Sequence, residues 1–206
     1  WAQQKLGGEK LLEYIKKFGF GEKTGIDLQE EISSGFRPKW GDIDYATMSF
    51  GQGIAVTSIQ MLSAVGALAN KGVMMEPHLV KSVLGEKEVE IPPKVKGEVI
   101  SADVASRITQ LMVQAVEQGE AKWAAPKGYQ VAGKTGTAQI AVEGHYDKDK
   151  TTASFVGFAP AEDPRFVMIV KISEPQTSQW ASETAAPLWF GISKKLLLNY
   201  NIAPSK

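Results

Sequence analysis

Between Ser101 and Ser173 the apolar residues change from helical spacing to alternation, and this change does most to limit the folds open to the chain. From Ser101 to Gln118, the residues Val104, Ile108, Leu111, Met112, Ala115 and Val116 recur at steps of three and four, which predicts one amphipathic helix. Asp103 falls in its first turn, where a negative charge suits the helix dipole, and Gly119 supplies a stop. Beyond it, Tyr129 to Ile140, Ser154 to Ala159 and Phe166 to Ser173 read as three strands. Asp163-Pro164 is a turn signal between the last two, which predicts a hairpin. Leu188, Ile192 and Leu196 mark a closing helix opened by Pro187. Helices, then antiparallel strands, then a helix predict an α+β fold, an antiparallel sheet flanked by helices.

The upstream part is helical and loop-rich. Leu11, Leu12, Ile15 and Phe18 predict a helix from Gly8 to Phe18, ended by Gly19 and Gly21. Residues Gly21 to Tyr45, rich in Gly, Ser and charge, read as loop, and the paired acids Glu30-Glu31 are expected there without a partner. Thr57 with Gln60 three residues on is a capping-box signal, with Leu62, Val65 and Ala69 as the apolar stripe behind it and Gly72 as the stop. Leu79 to Leu84 is a candidate strand, and Pro92-Pro93 breaks whatever precedes it. Asp147-Lys148-Asp149-Lys150 reads as a solvated loop, and Trp180 and Trp189 read as packing residues.

Composition removes several function classes. At 206 residues a single domain, 1-206, is expected. The 23 basic residues balance 23 acidic ones, so no nucleic-acid partner is expected. With no cysteine there is no disulfide, thiolate metal site or cysteine nucleophile. His78 and His145 stand far apart in sequence and read as surface or packing residues, so neither metal nor cofactor is expected. No apolar run is long enough to span a membrane. Trp1 to Lys5 already reads as structured sequence, which predicts a chain cut from something longer.

Gly128-Tyr129-Gln130-Val131-Ala132-Gly133-Lys134-Thr135 matches the phosphate-binding P-loop pattern letter for letter. A P-loop follows a buried strand and opens a helix. Here Ala121 to Lys127, with Trp123 and Pro126, precedes it, and Gly136-Thr137-Ala138-Gln139-Ile140 follows as a poor helix start. A nucleotide binder is therefore the remote alternative.

Lys134-Thr135-Gly136 is also the third motif of the penicillin-recognising serine enzymes, which pair S-x-x-K with S-x-N and K-T-G. A bare tripeptide is weak, and Lys23-Thr24-Gly25 is a decoy copy in a loop. The surroundings strengthen the second copy. The stretch from Gly128 through Gly133-Lys134-Thr135-Gly136-Thr137-Ala138-Gln139 resembles the extended K-T-G block of class B penicillin-binding proteins. Further blocks resemble that family in its order: Phe18-Gly19-Phe20-Gly21 with Thr24 to Leu28; Gly51-Gln52-Gly53 with Thr57 and Gln60; Ala69-Asn70-Lys71-Gly72 with Pro77-His78; Ser154 to Pro160 with Pro164; and Ala185-Ala186-Pro187. At Gly119-Glu120-Ala121 the chain departs from the Gly-Thr-Gly-like turn of the family. No serine here opens an S-x-x-K, and neither S-x-N nor Y-x-N occurs.

The resemblance implies the C-terminal part of a transpeptidase domain with a penicillin-binding protein and serine β-lactamase-like fold. It implies an enzyme joining peptidoglycan stem peptides by serine acyl transfer and binding β-lactam antibiotics. The nucleophile would come from a missing N-terminal half, and the parent would be membrane-anchored with this domain on the extracytoplasmic face. A serine β-lactamase-like hydrolase and a non-catalytic binding module are the alternatives. Lys134, Thr135, Gly136 and Thr137 are the candidate site residues: a cation and hydroxyls for the substrate carboxylate, a glycine for close approach, and, by resemblance, the Thr137 amide as an oxyanion donor. Alternation along a strand places Thr135 and Thr137 on one face. Five strands are expected in the complete sheet, with the two that this chain lacks lying beside Phe166 to Ser173.

Overall fold

The structure is a computed structural model that describes residues 2–33, 35–142 and 145–204. Residues up to Ser101 form one compact unit and residues from Ala102 onward another.

In the first unit, α1 (Ala2–Leu6) and α2 (Gly8–Lys17) are followed by α3 (Asp42–Met48) and α4 (Ser58–Ala69). Helix α2 half-buries Leu11, Leu12 and Ile15, and Gly19 and Gly21 follow it at φ 80° and 85°, a region open to glycine. Thr57 caps α4 as expected: its side chain accepts from Gln60 N, and Gln60 Oε1 accepts from Thr57 N. Gln60 is also buried, and its amide donates to the Glu22 carbonyl at 2.6 Å, tying the helix start to the preceding loop. Four short strands complete the unit: β1 (Val73–Met75) pairs β4 (Val95–Glu98), and β2 (Ser82–Leu84) pairs β3 (Glu88–Glu90), all antiparallel. The candidate strand at Leu79 to Leu84 is thus confined to its last three residues.

Two expectations for the Gly21 to Tyr45 loop need correction. It ends in α3, where Asp44 accepts from Gly41 N at 2.9 Å and pairs with Arg37. Glu31 is also well partnered. Its carboxylate accepts from Thr24 N and Thr24 Oγ1, both at 2.6 Å, and from Gly25 N at 3.0 Å, and so fixes the loop of the decoy Lys23-Thr24-Gly25. Asp27 holds the other side of that loop by accepting from Leu79 N and Val80 N.

These two carboxylates, largely screened by solvent, are expected to give the first unit a modest acid sensitivity. For Asp27 the Val80 and Leu79 amides lower the pKa. For Glu31 burial pushes upward, but the Thr24 hydroxyl, the two amides and the Lys23 charge outweigh it, so the net shift is also downward. Both folded values lie below the unfolded ones. The stability they add is complete above the ordinary carboxylate range and is lost as pH falls through the folded values. The melting midpoint is expected to drop below about pH 4, and Glu31→Gln should flatten that acid limb in a pH series of thermal melts. An acid limb unchanged by Glu31→Gln would remove Glu31 from the account.

The second unit opens with α5 (Ala102–Gln118) and a 3-10 turn at Glu120–Ala124. An antiparallel sheet in the order β5-β6-β7 follows, from β5 (Ala132–Val142), β6 (His145–Ala159) and β7 (Phe166–Ser173), and α6 (Ala185–Asn199) closes it. The expected β6–β7 hairpin is present, with a cis Ala159–Pro160 bond in its turn. Strand β5 starts three residues later than expected, and Tyr129 before it donates its hydroxyl to the Ile202 carbonyl. Asp147 to Lys150 lies inside β6 rather than in a loop, and Lys150 pairs with Glu174.

One face of the sheet carries Ala153, Phe155 and Ala159 against α6, where Trp189, Phe190 and Leu197 are buried. Phe155 lies 5.1 Å from the Trp189 ring centroid and 5.0 Å from that of Phe190. Trp189 is a packing residue as expected, whereas Trp180 is exposed. On α5 the expected stripe is buried in part, with Val116 buried and Ile108 and Met112 half-buried, whereas α6 buries a face beside the one expected. On α6 the buried residues are Trp189, Phe190, Ser193 and Leu197, with Leu188 and Ile192 outward. On α5 they are Ala105, Val113 and Val116, with Val104 and Leu111 outward.

Candidate active site

Strand β5 is an edge of its sheet, and its register on β6 sets the chemistry it presents. Thr135 faces Phe155 and Thr137 faces Ala153, so both threonines lie on the α6 side of the sheet, while Lys134 and Gly136 face Val156 and Ser154 on the other. The shared face expected for the two threonines is present. The Lys134 Nζ nevertheless reaches groups of Thr135, donating to the carbonyl at 2.9 Å and reaching the hydroxyl at 3.4 Å.

The backbone alternation follows from two contacts. The Ala132 carbonyl points into the sheet, so close to Gly157 that a Cβ there would lie 2.4 Å from it, while the Thr135 carbonyl is turned outward to the lysine. In an antiparallel ladder the N–H and C=O of one residue point the same way, and neighbours alternate. The amides of Thr135 and Thr137 are therefore directed to the open edge.

Glycines bring the wall into place. A Cβ on Gly133 would stand 2.4 Å from the Phe155 ring, so glycine lets that ring approach the strand next to Lys134. At Gly136 a Cβ would meet only the Ser154 hydroxyl, which donates to the Gly136 carbonyl.

An open cleft runs beside this strand. Lys134, Thr135, Gly133 and Phe155 line it on one side, and Leu111, Gln114, Ala115 and Gly119 to Ala121 on the other, with Ser182 at the end. Leu111 and Ala115, expected in the core, are thus cleft wall. Glu120 and Ser182 are residues that sequence reasoning missed, although the departure at Gly119-Glu120-Ala121 was a visible signal. Ser182 Oγ donates to Glu120 Oε2 at 3.1 Å, and Ala181 N donates to Thr137 Oγ1 at 3.2 Å. The P-loop reading does not survive. Lys134 and Thr135 sit within a strand that runs on to Val142, and no helix opens after Thr135. Among the described residues no three His, Asp or Glu side chains gather as a metal site, and no helix is long and apolar enough to cross a membrane.

A helix-backed antiparallel sheet with Lys-Thr-Gly on its edge strand beside an open cleft defines the penicillin-recognising class of fold. Within that class the chain belongs to the penicillin binding protein transpeptidase domain family, whose sequence model matches residues 1–197. It is 39% identical over 210 residues to stage V sporulation protein D of Bacillus subtilis, covering 98% of this chain and 32% of that protein. It is 32% identical over 200 residues to the peptidoglycan D,D-transpeptidase FtsI of Escherichia coli K12, covering 94% of this chain and 32% of that one. The crystal structure of penicillin binding protein 3 from Mycobacterium tuberculosis complexed with ampicillin superposes with a TM-score of 0.89 at 32% identity, over 98% of this chain and 48% of that chain. The chain thus spans about a third of the length of the curated relatives it matches.

Proposed function

We propose that this chain is the C-terminal portion of the transpeptidase domain of a peptidoglycan D,D-transpeptidase, and that it supplies the K-T-G wall but not the nucleophile. The observation that carries the reading is the Lys134 ammonium folded onto Thr135 at the free edge of β5, beside an open cleft. The family match spans both compact units, which supports treating them as parts of one domain.

In this reading a serine outside these 206 residues attacks the D-Ala–D-Ala carbonyl of a stem peptide. The peptide C–N bond breaks, the terminal D-Ala leaves with the proton it needs, and an amine from a neighbouring stem resolves the acyl-enzyme, releasing the serine. The substrate ends in a carboxylate. Lys134 supplies the charge opposite it, and the hydroxyls of Thr135 and Thr137 supply oriented donors. In this reading the Thr137 amide, directed to the open edge, serves as one donor of an oxyanion hole. A β-lactam carries a comparable anion and acylates the same serine when its ring opens, in keeping with the ampicillin complex of the mycobacterial relative. The complete protein would act outside the cytoplasmic membrane, where peptidoglycan lies, held there by an anchor beyond this segment. The apolar strand β7, half-buried along most of its length at the other edge of the sheet, supports further strands beside it in the complete domain.

The 206-residue chain alone is expected to form no covalent adduct with a fluorescent penicillin, because no serine in it stands in an S-x-x-K motif. The complete protein should label stoichiometrically. Intact mass and in-gel fluorescence check both. A stable adduct on the isolated chain, mapped to one of its own serines, would overturn the reading.

A further inference from the structure

Two adjacent residues in the connection between β7 and α6 reach in different directions. Ala181 N donates to the Thr137 hydroxyl, and Ser182 Oγ donates to the Glu120 carboxylate. Ala181 is 1% and Ser182 7% exposed, so these two residues are packed into the protein although Trp180 just before them is exposed. Further ties hold it: the Thr151 hydroxyl donates to the Gln179 carbonyl, and Ala186 N donates to the Ala181 carbonyl.

The first contact decides what Thr137 can do. A hydroxyl has one proton and two acceptor sites. Once its oxygen has accepted the Ala181 N–H, its proton is left to donate outward, which is what a substrate carboxylate needs. The second contact explains an otherwise costly residue. Glu120 lines the same cleft as Lys134 and Thr135, and a carboxylate there repels an anionic substrate. It sits in the Glu120–Ala124 turn that directly follows α5, opposite the connection it ties down.

We propose that Glu120 and Ser182 are positioning residues that hold the Ala181 amide on the Thr137 hydroxyl, and so orient that hydroxyl as a donor to the substrate's carboxylate. The inference rests on the reading of the β5 edge as the anion wall of a transpeptidase. Neither residue touches the substrate's reacting atoms. They act through Thr137.

The test uses the complete protein and two probes, a penicillin with its free carboxylate and the same penicillin as its methyl ester. Glu120→Ala should lower the acylation rate of the acid about tenfold and leave that of the ester unchanged. Ser182→Ala should do the same from the other end of the bond. Glu120→Gln keeps an acceptor for Ser182 and removes the repulsion, so it should acylate with the acid at least as fast as the wild type. A general structural defect would slow both probes together, and simple relief of repulsion would make Glu120→Ala faster. Either result overturns the proposal, as does wild-type behaviour of both alanine variants. Thr137→Val separates the two levels. If it leaves the acid-to-ester rate ratio unchanged, the assignment of Thr137 to the anion wall fails with the inference. If it collapses the ratio while Glu120→Ala does not, only the positioning role falls.

Discussion

Replacing Lys134 by alanine in the complete protein should slow acylation by a penicillin roughly ten- to hundredfold, toward the upper end of that range, while the melting temperature stays within about 2 °C of the wild type. The two halves of this expectation have separate causes. The lysine side chain is exposed, and its contacts are with the Thr135 carbonyl and hydroxyl. Truncation therefore opens no cavity and leaves no buried group unpaired, and substitutions of that kind stay within about 0.5 kcal/mol. Function should respond differently, because in the proposed reading the ammonium is the cation that the β5 edge offers to an anionic substrate. A hydrogen bond to a charged partner contributes about 1.5–3 kcal/mol, and each 1.4 kcal/mol is a factor of about ten. Lys134→Arg should recover only part of the rate, because a planar guanidinium cannot fold back on the Thr135 carbonyl in the same geometry. Near-wild-type acylation by Lys134→Ala would remove this residue from the site.

Where a sequence signal was local, the structure agrees with it closely. Strand β7 runs from Phe166 to Ser173 as predicted from the sequence, and the Thr57–Gln60 capping box forms with both of its bonds. The Lys134-Thr135-Gly136-Thr137 block lies on one strand with its threonines on a common face, because alternation is a property of the strand itself.

What was hidden depends on contacts between distant segments. The α6 stripe, and the Val104 and Leu111 part of the α5 stripe, misled because large apolar residues occur on two adjoining faces, and only tertiary packing selects between them. That choice freed Leu111 to line the cleft. Glu31 read as unpartnered because its partners at Thr24 and Gly25 become visible only once the loop has closed. Glu120 and Ser182 are separated by 62 positions in sequence, and no spacing rule links them.

The last expectation tests whether the β5 edge depends on its seat on β6. Gly157 lies in β6 opposite Gly133, one residue before Lys134. A Cβ on Gly157 would stand 2.4 Å from the Ala132 carbonyl oxygen and 2.9 Å from the Gly133 Cα. Both are backbone atoms of the paired strand, and no rotamer can move them. Gly157→Ala must therefore push β5 away from β6 at the root of the K-T-G block, a small-to-large insertion of the kind that costs about 1–3 kcal/mol and occasionally more. The upper part of that range applies here, because the obstacle is a strand held by its ladder on both sides of the clash. The same displacement moves Lys134, Thr135 and the outward Thr137 amide, and a misplacement near 1 Å can cost roughly a hundredfold in rate. Gly136→Ala supplies the contrast on the same strand. Its Cβ would meet the Ser154 hydroxyl at 2.7 Å, the end of a rotatable side chain that can turn aside. Gly157→Ala should thus lower both the melting temperature and the acylation rate, whereas Gly136→Ala should melt near the wild type. If Gly157→Ala melts with the wild type and acylates normally, the strand can shift without consequence, and the close seating of β5 on β6 is not what positions Lys134.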